Sequence, residues 1–390
     1  TAPNGGVRNI TAENIYLDAV GYKDFGAVIG VIDGVNSRVN DISVDYVDLT
    51  FDNIVGPCVG GVFGTAKNSA SVENISMDDL YIGDAITAAG GALRNNIGGI
   101  AGCVANGSQL KSARIINSAI YTASSAVGGV VGLADPLPTT AASVTIKDVF
   151  SSVDIIEGDT KVGGVVGEAQ GSAGNVLNLE RSRYVGPIGS GYIVCVDKCA
   201  GLVGSLGGAG AIHTVTESWV RDLDIETTGS ATTIGGLIAV GQDAVLNSVF
   251  GDNITLTTTV ASHTVGGLYG DSTGVFSVTD AYFRGDVYGD TSGNDALITS
   301  DATGAILIRI YTVGTASKGS YATGAPTTAS AANIFTTVAS SPSATTYSQG
   351  IIEDSSTLNT AGYSASIWTN ITSSGVKELI IEKPYVLFAN

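Results

Sequence analysis

The stretch Lys161-Val162-Gly163-Gly164-Val165-Val166-Gly167 decides how the rest of the chain is read. Two glycines, two β-branched residues and a third glycine make a poor helix and an odd strand. A glycine doublet costs backbone entropy, so it persists where backbones must approach closely or adopt φ > 0. The element recurs along the chain. It reads GAVIG at Gly26, GGVFG at Gly60, GGIAG at Gly98, GGVVG at Gly128 and GGVVG at Gly163. It continues as AGLVG at Ala200 with Gly201, GGLIA at Gly235 and GGLYG at Gly266. The spacing is 30 to 38 residues, about 34 on average, and a degenerate ninth copy is expected at Gly304 (GAILI). A fixed period of that length is the mark of a repeat architecture.

About a dozen residues after each anchor comes a run alternating apolar and polar residues. Examples are VENISMDDLYIG from Val72, VTESWVRDLDI from Val215 and VTDAYFRGDVYG from Val278. Alternation over a strand length predicts strands with one buried face. One unit of this size cannot bury its apolar face alone, whereas stacked units about 4.8 Å apart close one continuous core. The predicted fold is therefore all-β, a parallel β-helix or β-solenoid of about eight repeats over residues 1–315. Residues 316–390 are expected to hold an irregular Ser/Thr/Ala-rich connection and a C-terminal β cap.

The motifs resemble GLUG-repeat proteins. KVGGVVG, CAGLVG from Cys199 and TVGGLYG from Thr264 match one half of that repeat. Asp280-Ala-Tyr-Phe-Arg-Gly-Asp-Val-Tyr-Gly289 matches the other half. Trp368, followed by Lys383-Pro384-Tyr385-Val386-Leu387, is similar to the family's closing strand, which marks Trp368, Pro384 and Tyr385 as cap residues. The resemblance covers about residues 20 to 310 and the last thirty. It implies a secreted or surface-attached, adhesin-like protein with no shared catalytic residue.

Composition narrows the function classes. The chain has 390 residues, a net charge of −18 and 44% hydrophobic residues, a balance that favours a folded core over disorder. Nucleic acid is not an expected partner, since phosphate binding calls for clustered Lys and Arg. No apolar run approaches the ~20 residues of a membrane span. The chain begins at Thr1 with one methionine, which suggests a processed or partial product, and an N-terminal cap is not evident. Another molecule or more chain is expected to cover that end.

Four cysteines suit two disulfides and an oxidising compartment. Cys195 and Cys199 are close enough to close a small loop, whereas Cys58 and Cys103 are seven positions out of phase in consecutive repeats. Pairing Cys58 with Cys103 requires one of them to sit on a corner. Sequons at Asn9, Asn74, Asn106, Asn253 and Asn370 are glycosylation candidates in a Ser/Thr-rich chain. His213 and His263 fall in different repeats at different phases, and no nucleophile triad or metal-ligand spacing accompanies them. Carboxylates such as Asp78, Asp79 and Glu180 read as solvated faces. Arg284-Gly285-Asp286 spells an integrin-type tripeptide, but the repeat already calls for Gly-Asp-Val there.

No catalytic residue, cofactor or dedicated metal site is expected; bridging calcium is not assignable to residues. The expected role is an extracellular structural or adhesive protein, a surface filament, sheath or surface-layer subunit joined end to end. Two other classes fit the same text: a glycan- or host-binding adhesin segment, and a carbohydrate-active β-helix of lyase, glycosidase or tail-spike type.

Overall fold

The computed structural model describes residues 6–316, apart from 20–23, 52–56, 85–95, 136–141, 188–190, 230–231, 260–262, 273, 275, 290–293 and 300–304, together with 328–329, 334–336, 368–373 and 376–381. Within this set there is no helix. The chain forms three parallel sheets of sixteen, nine and eight strands and a separate two-stranded hairpin. The solenoid expected from the repeat is what the chain builds.

Each turn runs through the three sheets in order. In one turn, a short near arm (Cys58–Gly60) leads through a two-residue bend into a short far arm (Phe63–Lys67), and the long strand Ser71–Asp84 follows. The next turn repeats this as Asn96–Gly98, Ala101–Ala105 and Gln109–Tyr121. Every strand pairs in parallel with its counterparts in the neighbouring turns, Gly60 with Gly98 and Gly98 with Gly128. Nine near arms at a spacing of about 4.8 Å give a column about 38 Å long.

The glycines serve close approach, not unusual φ. None of the anchor-doublet glycines has positive φ; among the described residues the positive-φ glycines are Gly34, Gly107, Gly174, Gly208 and Gly210. A Cβ on the second glycine of a doublet would strike the carbonyl of its counterpart one turn on: Gly99 against Gly129, Gly129 against Gly164, Gly164 against Gly201. A Cβ on the closing glycine would strike the near arm of the preceding turn: Gly102 against Cys58 and Val59, Gly132 against Ile97. The two arms therefore touch backbone to backbone, without the side-chain layer that ordinarily separates packed sheets.

The ninth turn departs from expectation. The strand stacked on Gly266 is Asn294–Ala296, with Asp295 opposite Val265 and Ala296 opposite Gly266; Gly304 lies outside the described residues. Leu297 there takes the place of the second glycine. Among the described residues no further near arm follows it, so no carbonyl opposes its side chain.

The long strands are bent by columns of left-handed residues. Asn9, Asp41, Asn74, Ser112, Asp148, Arg181, Glu217, Ser248 and Asp280 all have φ between 46° and 60°, and the flanking registers stack them one per turn. Asn and Asp adopt this conformation more readily than other L-residues, and their side chains link the turns. Asn74 Nδ2 donates to Asp41 Oδ1 at 3.0 Å. A second column runs through Asn14, Tyr46, Asp79 and Asn117 and resumes at Asp222 and Asn253, where Asn253 Nδ2 donates to Asp222 Oδ1 at 2.6 Å.

Before the first bend and after the second, inward positions form aliphatic ladders. Val39, Val72, Leu110, Ile146, Leu179, Val215, Leu246, Val278 and Leu307 are all buried. So are Leu49, Ile82, Ile120, Ile156, Ile193, Ile225, Leu256 and Val287. Burying each such side chain contributes about 1.5–3 kcal/mol. Strands Trp368–Ser373 and Val376–Ile381 pair with each other as an antiparallel hairpin in the region read as the cap.

Candidate functional site

The outward positions of the long sheet, just after the first bend, carry the most distinctive chemistry. The residue two places after each left-handed residue falls in one column: Thr11, Ser43, Ser76, Arg114, Phe150, Arg183, Trp219, Phe250 and Tyr282. Two places further along lies a second column: Glu13, Asp45, Asp78, Ile116, Ser152, Val185, Arg221, Asp252 and Arg284. The face thus changes character along the axis, from hydroxyls and carboxylates to arginines and aromatic rings.

In the second half the side chains interlock. The Arg183 guanidinium lies 4.9 Å from the centroid of Phe150 and 5.5 Å from that of Trp219. Arg221 lies 5.3 Å from Trp219. Trp219 and Phe250 stack at 5.0 Å with planes 11° apart. Asp252, with its side chain 5% exposed, meets Arg221 Nε at 3.2 Å and accepts from Arg284 Nε at 2.6 Å. One carboxylate thus meets two guanidiniums, on successive turns either side of it. Trp219 Nε1 and Arg221 Nη2 are buried donors with no hydrogen-bond partner.

The cysteines form two disulfides, Cys58–Cys103 and Cys195–Cys199. The seven-position phase difference of Cys58 and Cys103 is the arch itself: Cys58 is on a near arm, Cys103 on the far arm of the next turn, and Gly102 lets them meet. The anchors Gly26, Gly60, Gly98, Gly128, Gly163, Gly201, Gly235 and Gly266 all sit at this arch.

The sequons fall on bends. Asn9, Asn74, Asn106 and Asn253 all have positive φ. In Asn74-Ile75-Ser76 and Asn253-Ile254-Thr255 the pattern is a bend residue, a buried isoleucine and an outward hydroxyl. Asn106 Nδ2 donates to Asn68 Oδ1 at 3.4 Å. Asn370 and Trp368 lie on the C-terminal hairpin; Pro384 and Tyr385 lie outside the described residues.

Each histidine is committed to a contact between turns. His213 Nδ1 accepts from the Leu177 amide at 3.0 Å and Nε2 faces the Gly207 carbonyl at 2.9 Å. Those partners assign the neutral Nε2–H tautomer, and burial lowers its pKa. His263 Nε2 lies 2.8 Å from Asp295 Oδ1, with both side chains fully buried. Asp295 ends the near-arm column Val59, Ile97, Val127, Val162, Cys199, Ile234, Val265.

The carboxylates read as solvated faces partly serve as rungs. Glu180 pairs with Lys147 at 3.0 Å, and Arg181 donates to both oxygens of Asp148 at 2.6 and 2.9 Å. Arg284-Gly285-Asp286 is held within a strand paired on both sides. Among the described residues no three His, Cys, Asp or Glu side chains are placed to hold a metal ion. Comparison with protein-family models, curated proteins and solved structures finds no match to this chain.

Proposed function

We propose that this chain is an extracellular structural or adhesive protein, a stiff column whose copies join end to end into a filament, sheath or surface layer. The reading rests chiefly on the first turn. Strand Gly6–Ala19 is the terminal strand of the long sheet, and Ile29–Asp33 is terminal in the far-arm sheet. Val7, Tyr16, Val31 and Val35, four of the eight large hydrophobics exposed among the described residues, gather on this turn. A strand edge beside apolar side chains is a template for strand addition, by a second copy or equally by further repeats of the same protein. A head-to-tail contact that does not close into a ring propagates as a fibre. The two disulfides fit an oxidising, exterior compartment, and the likeness to GLUG-repeat proteins points the same way.

Light scattering on the purified chain over a range of concentrations tests this. Mass should grow with concentration, and Val31→Lys with Val35→Lys should suppress the growth while leaving the thermal melt intact. A constant monomer mass throughout overturns the proposal.

A further inference from the structure

We propose that the tyrosine-bearing outer face beyond the second bend docks an extended, arginine-rich segment of a partner polypeptide. Two outward columns build this face. One carries Tyr16, Asp48, Tyr81 and, three turns further on, Tyr192. The other carries Gly83, Tyr121 and Glu157 on successive turns. The rings meet in pairs across turns, Tyr16 with Tyr46 at 5.3 Å between centroids and Tyr81 with Tyr121 at 5.9 Å. Tyr81 lies over Gly83, where a Cβ would come within 2.6 Å of the ring. The glycine thus seats the ring against the backbone, and Tyr81 is still 46% exposed and Tyr16 66%.

The charge around the rings sets the chemistry of the partner. Residues 14–19, 46–51, 79–84, 117–121, 153–158 and 192–195, the strand ends of six turns, contain no Lys, Arg or His. Among the described residues Asp48, Asp79, Asp154 and Glu157 enter no ion pair, whereas before the first bend Glu73 pairs with Lys111 and Glu180 with Lys147. Burial, Tyr81, and then Glu157 and Asp154 raise the pKa of Tyr121, which sets those two carboxylates beside the ring pair. Burial, and then the charge of Asp79, raises that of Asp154, so repulsion across the face is felt. A guanidinium stacks on an aromatic ring and forks onto a carboxylate, so arginine answers both parts of the face. From Tyr16 to Tyr192 is five rungs, about 24 Å, the reach of about seven extended residues. An acidic polymer is repelled here. Among the described residues no three carboxylates converge to hold a metal ion instead.

The test is calorimetric titration of the full chain with hepta-arginine, and with cellohexaose as an uncharged alternative for the rings. The proposal expects saturable binding of the peptide, weakened by added salt, and none of the sugar. Tyr81→Leu should weaken binding about fivefold, and Asp154→Asn with Glu157→Gln about tenfold, at an unchanged thermal melt. Glu73→Gln, which removes a charge from the other end of the strands, should change it less than twofold. Absence of saturable peptide binding overturns the proposal, as does binding that Tyr81→Leu and the double variant both keep in full. Equal weakening by Glu73→Gln overturns it in favour of bulk charge attraction, and sugar that displaces the peptide overturns it in favour of a glycan face. End-to-end association is read by light scattering without peptide, so the two proposals fail separately.

Discussion

Cys58 and Cys103 stand on different sheets of successive turns, and their Cα atoms are 5.4 Å apart. The bond therefore ties a turn to its neighbour across the arch, where glycines already bring the backbones together. In the chain-entropy picture a closed loop of 45 residues is worth about 4 kcal/mol, and the four-residue separation of Cys195 and Cys199 about 2 kcal/mol. Replacing both Cys58 and Cys103 with serine should lower the denaturation midpoint clearly more than replacing Cys195 and Cys199. Equal losses would mean that the first bond adds no constraint between turns.

The second glycine of each doublet is the steric keystone. Gly129→Ala puts a methyl against the Gly164 carbonyl and Ser151 Oγ, and should cost about 3 kcal/mol or more. Gly207→Ala meets only the Ala169 carbonyl at 3.7 Å, and should change stability by about 0.5 kcal/mol at most. Urea denaturation of the two variants gives the comparison.

The left-handed column predicts gains as well as losses. Ser112, at φ 52°, lies between Asn74 and Asp148. Ser112→Asn keeps the bend and extends the amide ladder, with an expected gain of about 0.5–1 kcal/mol. Asn74→Val puts a β-branched residue at φ 56° and removes the bond to Asp41, for an expected loss of about 2 kcal/mol. Thermal melts of both variants check the sign.

His213 makes stability depend on pH. Burial lowers its folded pKa, whereas the unfolded chain takes up the proton near pH ~6.5. Its contribution is full above that value and is lost as pH falls below it. The denaturant midpoint should fall between pH 7.5 and pH 5. The fall should be smaller in His213→Gln, whose amide can accept from Leu177 and donate to Gly207 without titrating.

The solenoid was legible because glycine doublets and alternating strands are local signals repeated at one period. The ninth turn lacks the glycine signature, because Leu297 occupies a position where, among the described residues, no later near arm demands one. The pairing of Cys58 with Cys103 is opaque to a phase count that assumes each residue stacks on its own column, since the arch offsets near and far arms. The arginine–aromatic strip was missed for a related reason. Arg114, Phe150, Arg183, Trp219 and Phe250 align only when repeats are registered on the bend residue, whose identity varies among Asn, Asp, Ser, Arg and Glu. The recurring Asn-Ile-Ser/Thr triplets were the available clue, and they suggested glycosylation before they suggested a bend.

Electron microscopy of the purified protein at rising concentration is the most direct test of end-to-end assembly. Unbranched rods should appear, with an axial repeat no shorter than the column length of about 38 Å. Separate particles at every concentration, or clusters joined only side by side, would contradict it.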